Sequence, residues 1–341
     1  MIDWVRVSIT LARQTQHQWL QATIQPYVDR QQMIRPVAPI SGTATDRFEI
    51  TFQEPRLGKI SDALDAIEAA YGFVIPAQCD AIEVSVDFTP RIPSASSRRL
   101  MFRALSHHFL PKIDLFAVKT AQPRFAWGAG KDFTRFTVPS WKLIKADEFH
   151  YAVNDYDCPA TADATFYVGA KDEQIMWRIM DKVIDRQNRS AGSFVDLEEH
   201  RKRVRIEVTL QGSEIDLLGI RPISSLLRFD FTKLKTRYFS FKLPTFSDGL
   251  HPTGISIVGQ EVEDRRIAKF LKTGIIGLSL MDAARGRFRD KHRKDFVRFF
   301  KERGLRTPRK MQSGQLGPML AYGELDRRVE MALRKLTIRE K

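Results

Sequence analysis

The stretch Thr165-Phe-Tyr-Val-Gly-Ala-Lys-Asp-Glu-Gln-Ile-Met-Trp-Arg-Ile-Met-Asp-Lys182, with Arg205-Ile-Glu-Val-Thr-Leu210 after it, decides how this chain is read. The second piece is plain: Val204, Ile206, Val208 and Leu210 alternate with Arg205, Glu207 and Thr209, the period of a strand with one apolar face. The first piece fits two patterns. As a strand, it points Arg178, Met180 and Lys182 the same way. As a helix, Ile175, Ile179 and Val183 form a core stripe with Met176 and Met180. Strands follow one another here with gaps short enough for hairpins, which argues for an antiparallel sheet in an α+β fold.

Upstream, the same logic recurs. Val5, Val7 and Ile9 alternate with Arg6, Ser8 and Thr10, and Phe48, Ile50 and Phe52 alternate with Arg47, Glu49 and Thr51. Ile82-Glu-Val-Ser-Val-Asp-Phe88 is a third such run. Between them, Trp19, Leu20 and Ile24 take helical spacing up to Pro26. Ile60, Leu64, Ile67 and Tyr71 mark a second helix that Gly72 stops. A Ser cluster from Ser94 starts a third, which carries Leu100, Phe102, Leu105 and Phe109. Residues 113–118 and 133–138 are predicted strands, and 145–163 a polar loop. The chain does not alternate strictly enough for a doubly wound parallel sheet.

After Gly219 the character changes. Pro222, Pro244 and Pro252 punctuate an irregular stretch, and from Val262 the periodicity is mostly helical, with a last helix over Leu325–Leu336. The expected organisation is an α+β domain over 1–215 with a largely antiparallel sheet and packed helices. An irregular connection follows over 216–250, then a smaller, basic, mostly helical C-terminal domain over 251–341.

Composition narrows the function. Across 341 residues there are 55 Lys+Arg against 41 Asp+Glu, a formal charge of +14, which points to a polyanionic partner and to nucleic acid first. The densest positive run, Arg285, Arg287, Arg289, Lys291, Arg293 and Lys294, is interleaved with Phe288, so it can track phosphates while its apolar side packs inward. A solvated helix face is the plainer alternative. Two cysteines exclude a disulfide framework and a zinc-ligand set. No apolar run approaches the roughly 20 residues that cross a bilayer, so no membrane partner and a cytoplasmic location are expected. The seven histidines have no ligand spacing, and neither a Walker loop nor a dinucleotide fingerprint is present.

The motifs also occur in a recognisable order. Ile2-Asp-Trp-Val, Arg47-Phe-Glu-Ile, Ile82-Glu-Val-Ser-Val-Asp-Phe88, Phe166-Tyr-Val-Gly169, Trp177-Arg-Ile-Met-Asp-Lys182 and Arg205-Ile-Glu-Val together resemble the rolling-circle replication initiators of plasmids and filamentous phages, and related relaxases. The resemblance covers roughly residues 1–215. It implies a replication-initiation protein that acts as a nickase, a site-specific single-strand DNA endonuclease and transesterase. In such an enzyme a tyrosyl oxygen attacks a phosphodiester with the aid of a divalent ion, keeps the 5′ end and frees a 3′-OH.

What the resemblance implies for residues follows position by position. The nucleophile position falls on Met180, where a thioether has no proton to lose, with Arg178 and Lys182 flanking it. Tyr167, Tyr156 and Tyr151 could supply a displaced hydroxyl, and spacing favours none of them strongly. Glu83 and Glu207 are the expected metal ligands, for Mg²⁺ or Mn²⁺, with Asp87 next and Glu49 as a further candidate. Glu83 and Asp87 share a strand face but lie roughly 13 Å apart along it, too far for one ion unless the strand is bulged. The alternative is that Arg47/Glu49 and Arg205/Glu207 are cross-strand ion pairs on a solvated sheet face. The expected partner is DNA, as an origin duplex, hairpin or single strand, with a helicase or host replication proteins besides. Two functions stay open: a nicking initiator, or an inactive relative that binds an origin as a regulator or recruitment factor. RNA binding is a third, since charge does not distinguish the two acids.

Overall fold

The computed structural model describes residues 1–29, 32–37, 44–111, 124–126, 165–169, 173–188, 193–246 and 319–340, together with parts of 261–302. The run over 285–294, the stretches 113–118, 133–138 and 145–163, and Tyr151 and Tyr156 lie outside the described residues.

The alternating segments become strands. These are β1 (Ile2–Gln16), β2 (Met33–Pro36), β3 (Ala44–Gln53), β4 (Phe73–Phe88), β5 (Arg124–Ala126), β6 (Thr165–Val168), β7 (Ile175–Lys182), β8 (Ile184–Asn188), β9 (Ser193–Asp196) and β10 (Arg203–Gln211). Eight of them form one sheet in the order β2-β3-β1-β4-β10-β7-β6-β5, and β8 and β9 form a separate ribbon. Each described pairing in the sheet is antiparallel, so the fold is α+β, as the pattern predicts. The ambiguous stretch at 175–182 is a strand: Ile175, Trp177 and Ile179 are buried on one face, a period of two that a helix would not give.

One face of the sheet is the core. Val5, Val7 and Ile9 of β1, Ile82, Val84 and Val86 of β4, Val204, Ile206 and Val208 of β10 and Trp177 of β7 are buried there. Helices α1 (His17–Ile24), α2 (Leu57–Tyr71) and α3 (Ala95–His108) contribute Leu20, Ile60, Leu64, Ile67, Phe102 and Leu105 to the same core. The helix signals hold up locally. Ser94 caps α3 by accepting a hydrogen bond from the Ser97 N–H at 3.1 Å, and Gly72 ends α2 at φ +70°. β4 begins nine residues earlier than the alternation from Ile82 indicates. Pro76 sits in that early part, where β4 runs beyond the reach of β10 and needs no ladder N–H on that side.

The second half of the chain completes this core. Short helices α4 (Ser213–Leu218), α5 (Ile223–Leu226) and α6 (Leu234–Tyr238) follow β10, and 263–271 and 273–279 are helical. Leu226, Phe231, Leu234, Tyr238, Ile275, Leu278 and the last helix's Val329, Leu333 and Leu336 are in one contiguous cluster with the strands. The indole N–H of Trp177 donates to the Tyr238 carbonyl at 2.8 Å, and the last helix (Gly323–Glu340) reaches α2 through Glu340, which accepts from the Leu57 N–H at 2.9 Å. His107 and His108, at the end of α3, bond the carbonyls of Leu271 and Lys242 and pack on Phe270, and burial lowers both their pKa values. They tie α3 to the later segments.

Gly169 closes β6 with φ +85°, and a Cβ there would collide with the Ile175 carbonyl oxygen of the facing strand. Both the left-handed backbone and the close approach require glycine. Gly169→Ala is expected to cost at least about 2 kcal/mol, measured by denaturant unfolding.

Candidate functional site

The other face of the sheet is polar, and register fixes what meets there. On β10 it presents Arg203, Arg205, Glu207 and Thr209. Opposite on β4 are Asp87 (facing Arg205), Ser85 (facing Glu207) and Glu83 (facing Thr209). On the other side, β7 places Lys182 beside Arg203, Met180 beside Arg205 and Arg178 beside Glu207. β6 adds Thr165 beside Met180 and Tyr167 beside Arg178. An ordinary outer sheet face would be wet. Here Glu83, Ser85, Arg205, Glu207 and Thr209 are all buried, so the solvated ion-pair alternative does not describe this part of the sheet.

Three carboxylates converge. Asp3, Glu83 and Glu207 each bring an oxygen within 4.8 Å of the others. Asp3 joins them because the β1–β4 register shifts between Ile2 and Trp4, a bulge that turns an otherwise misphased residue to the polar face. Arg178 is set among them: its Nη2 donates to Glu83 Oε1 at 2.9 Å and contacts Glu207 Oε2. Thr209 donates its hydroxyl to Glu83 Oε2 at 2.6 Å. Arg178 Nη2 and the two glutamates are what the sequence placed near each other; Asp3 it did not find.

Asp87 is engaged elsewhere. Arg205 grips it with Nε and Nη2 at 2.6 and 2.8 Å, and Arg203 Nε approaches it at 2.9 Å. Burial raises the pKa of Asp87, but the Arg205 hydrogen bonds and charge outweigh it and leave the group below the ordinary value. Arg205 also donates to Asp3 at 2.7 Å, so it links Asp87 to the three-acid group without bringing Asp87 into it. Glu49 is on β3, next to the β1 strand of Asp3 but opposite Ser8, five residues along from it, and is paired with Arg35 of β2 at 2.9 Å. Lys182 stands at the end of β7, half-buried, and Met180 is buried beside Arg205.

The electrostatics are tight. Four carboxyl groups (Asp3, Glu83, Asp87, Glu207) face three guanidinium groups (Arg178, Arg203, Arg205) and the Met1 ammonium, which donates to the Ser85 carbonyl and neighbours Asp3 and Asp87. Burial, reinforced by the charges of Glu83 and Asp3, pushes the Glu207 carboxyl up to about 7. Burial and neighbouring carboxylates thus favour the protonated form of Glu207 up to about neutral pH. The hydrogen-bond accounting points to the same spot. Among the described residues, Asp3 Oδ2 and Ser85 Oγ on this face are buried without a hydrogen bond, while Glu207 Oε2 and Arg203 Nε, which also lack one, are held in ion-pair contact with Arg178 and Asp87. Buried oxygens left unpaired beside a carboxylate cluster are compatible with a cation or water there. An all-oxygen set of carboxylates suits a hard divalent ion such as Mg²⁺ or Mn²⁺.

No family model matches the chain, and no curated protein sequence matches it. Among solved structures it is similar to the rolling circle replication initiator protein from Geobacillus stearothermophilus, with 9% identity over 77% of this chain and 94% of that one, at a TM-score of 0.34. That likeness is too loose to carry any residue across. No helix among the described residues is long and apolar enough to cross a membrane.

Proposed function

We propose that the polar sheet face is a phosphodiester-handling site and that the protein is a DNA-binding replication initiator of the rolling-circle kind. The observation that carries the reading is the convergence of Asp3, Glu83 and Glu207 in a buried place lined with arginines. The three carboxylates would hold a divalent ion, and Ser85 and Thr209 would steady them. When bound, that ion polarises a phosphate and spreads the charge that develops on it. Arg178 then has a second use. It pairs with Glu83 and Glu207, and with a divalent ion on those acids its guanidinium would be available to a phosphate. Half-buried Lys182 at the end of β7 and Arg203 at the start of β10, side by side in register, would hold the flanking backbone of a strand. The chain's surplus of 14 positive charges supports a nucleic-acid partner over a small anion.

A second reading is favoured by one residue. Met180 is buried where the resemblance expects a phenol, and its thioether cannot displace anything. On that reading the protein keeps the DNA grip and acts as a regulator or recruiter. Two measurements separate these possibilities. Fluorescence anisotropy with labelled single-stranded and duplex DNA should show affinity falling steeply, by orders of magnitude, between roughly 50 and 200 mM salt. Supercoiled plasmid carrying the cognate origin, incubated with the protein and Mn²⁺, should give open circles with protein on the 5′ end if the protein nicks. Intact supercoils with protein bound would support the second reading. Absence of DNA binding at low salt would sink both.

A further inference from the structure

Resting on the reading of this face as a phosphodiester site, we infer that Trp4 and Arg6 form a stacking shelf for an unpaired nucleobase beside the acidic cluster. The β1–β4 bulge that makes Asp3 the extra residue leaves Trp4 paired directly with Glu83, and on its other side Trp4 meets Gln53 of β3. Neighbouring strands are about 5 Å apart. The indole therefore stands one strand from the Glu83 carboxylate, outside the cluster but bordering it.

Arg6 follows two residues along on the same face, with its guanidinium carbon 5.6 Å from the centre of the Trp4 ring. The attraction of the cation to the electron-rich ring holds the two side chains together. In register, Arg6 lies between Thr51 of β3 and Ala81 of β4, which are small and uncharged. Both Trp4 and Arg6 are half-buried, so each keeps part of its surface for solvent or a ligand. Trp177 is in the core, and Trp19 is on α1, whose Leu20 and Ile24 pack against the opposite face. Among the described residues, Trp4 is the tryptophan of the polar face.

This pair suits one kind of ligand. A nucleobase is flat, and any base can stack on an indole; a phosphate without a ring gains nothing from Trp4. With one phosphate of a strand at the carboxylates, the base of an adjoining nucleotide falls over the next strand of the sheet, where Trp4 stands. Arg6 then adds its own flat, charged surface to the stack. In a duplex the faces of a base are already covered by its neighbours and closed to the indole. The shelf selects an unstacked segment and sets which nucleotide lies at the carboxylates, so Trp4 is a positioning residue for the strand.

The test compares two labelled strands of equal length and charge, an oligothymidylate and a deoxyribose-phosphate strand without bases, by anisotropy with the full chain and Mn²⁺. Wild-type protein is expected to bind the strand with bases on the order of tenfold or more tighter. Trp4→Leu should lose about tenfold for that strand and nothing for the baseless one, and Trp4→Phe should keep most of the difference. Binding of Mn²⁺ by each variant checks that the cluster is intact. Equal loss for both strands in Trp4→Leu, or no loss for either, overturns the shelf. A second measurement needs no variant: wild-type protein is irradiated with strands carrying 5-iodouracil and the linked peptides are mapped by mass spectrometry. A link to the peptide containing Trp4 supports the shelf, and links confined to other peptides overturn it. Equal binding of both strands by wild-type protein also overturns it and leaves the reading of the face intact. Failure to bind either strand removes that reading as well.

Discussion

Divalent-ion binding by this protein is expected to release a proton, and the proton is expected to come from Glu207. Burial, with the charges of Glu83 and Asp3 beside it, pushes the Glu207 carboxyl up to about 7. The folded, ion-free protein therefore holds a proton that the unfolded chain loses near the ordinary glutamate value of 4.5. The stability tied to that proton is complete below the ordinary glutamate range and is lost as pH rises through about 7. An ion bound to Asp3, Glu83 and Glu207 would compete with that proton and needs the carboxylate ionised. Apparent affinity for Mg²⁺ or Mn²⁺ should rise about tenfold per pH unit below 7 and level off above it. Calorimetry in two buffers of different ionisation heat should count nearly one proton released on the acid side and almost none well above neutrality. Glu207→Gln should bind the ion more weakly and lose the slope. Affinity independent of pH in the wild-type protein would remove Glu207 from the site.

Arg205→Met should be the most damaging single change to stability in the sheet. Arg205 is buried, and its fork engages Asp87 twice and Asp3 once, with Glu207 3.8 Å from Nη1. A methionine fills similar space and leaves buried Glu207, half-buried Asp3 and the more exposed Asp87 with too little positive charge around them. Removing one partner of such a network costs about 3–5 kcal/mol, which urea unfolding would read directly. The pH dependence carries a second signature. Because Arg205 holds Asp87 below its ordinary value, that stabilisation is present above the usual aspartate range and is lost on acidification. The variant should therefore lose stability mainly at neutral pH, and the gap between the two proteins should narrow in acid. A variant as stable as wild type at pH 7 would show that the network is neutralised some other way.

Much of this was legible in the sequence, for reasons that differ by residue. Alternation in β1, β3, β4 and β10 reveals a sheet with one apolar face because the side-chain period of a strand is two. The same rule puts Glu83 and Glu207 on the face away from the core. It cannot say whether that face is wet, since burial there depends on what else covers the sheet. The stretch over 175–182 was open to two readings because Met and Ile serve a helix and a strand equally, and its pairing with β10 and β6 decides it. Asp3 was invisible for a sharper reason. A bulge between Ile2 and Trp4 breaks the period that a pattern relies on, and no local composition announces it. The partition of the acids also needed the fold: Asp87 and Glu83 look equivalent along β4, yet Arg205 claims one and Arg178 the other. Phe231 and Leu234, in the irregular connection expected over 216–250, and Leu333 and Leu336, in the helical C-terminal domain expected over 251–341, lie in the cluster that backs the sheet. Helical periodicity shows that a face is apolar but not which surface it meets.

The placement of β4 between β1 and β10 has a consequence for how the chain is made. As it leaves the ribosome, β4 can zip onto β1 at once, but its other edge must wait for β10, more than a hundred residues later. At about 5–20 residues per second, that edge stays open for on the order of ten seconds. An open edge of alternating Ile, Val and Phe is a template for pairing with other nascent chains. Newly synthesised protein is thus most exposed to aggregation in that interval, and a chaperone that covers a strand edge would act there.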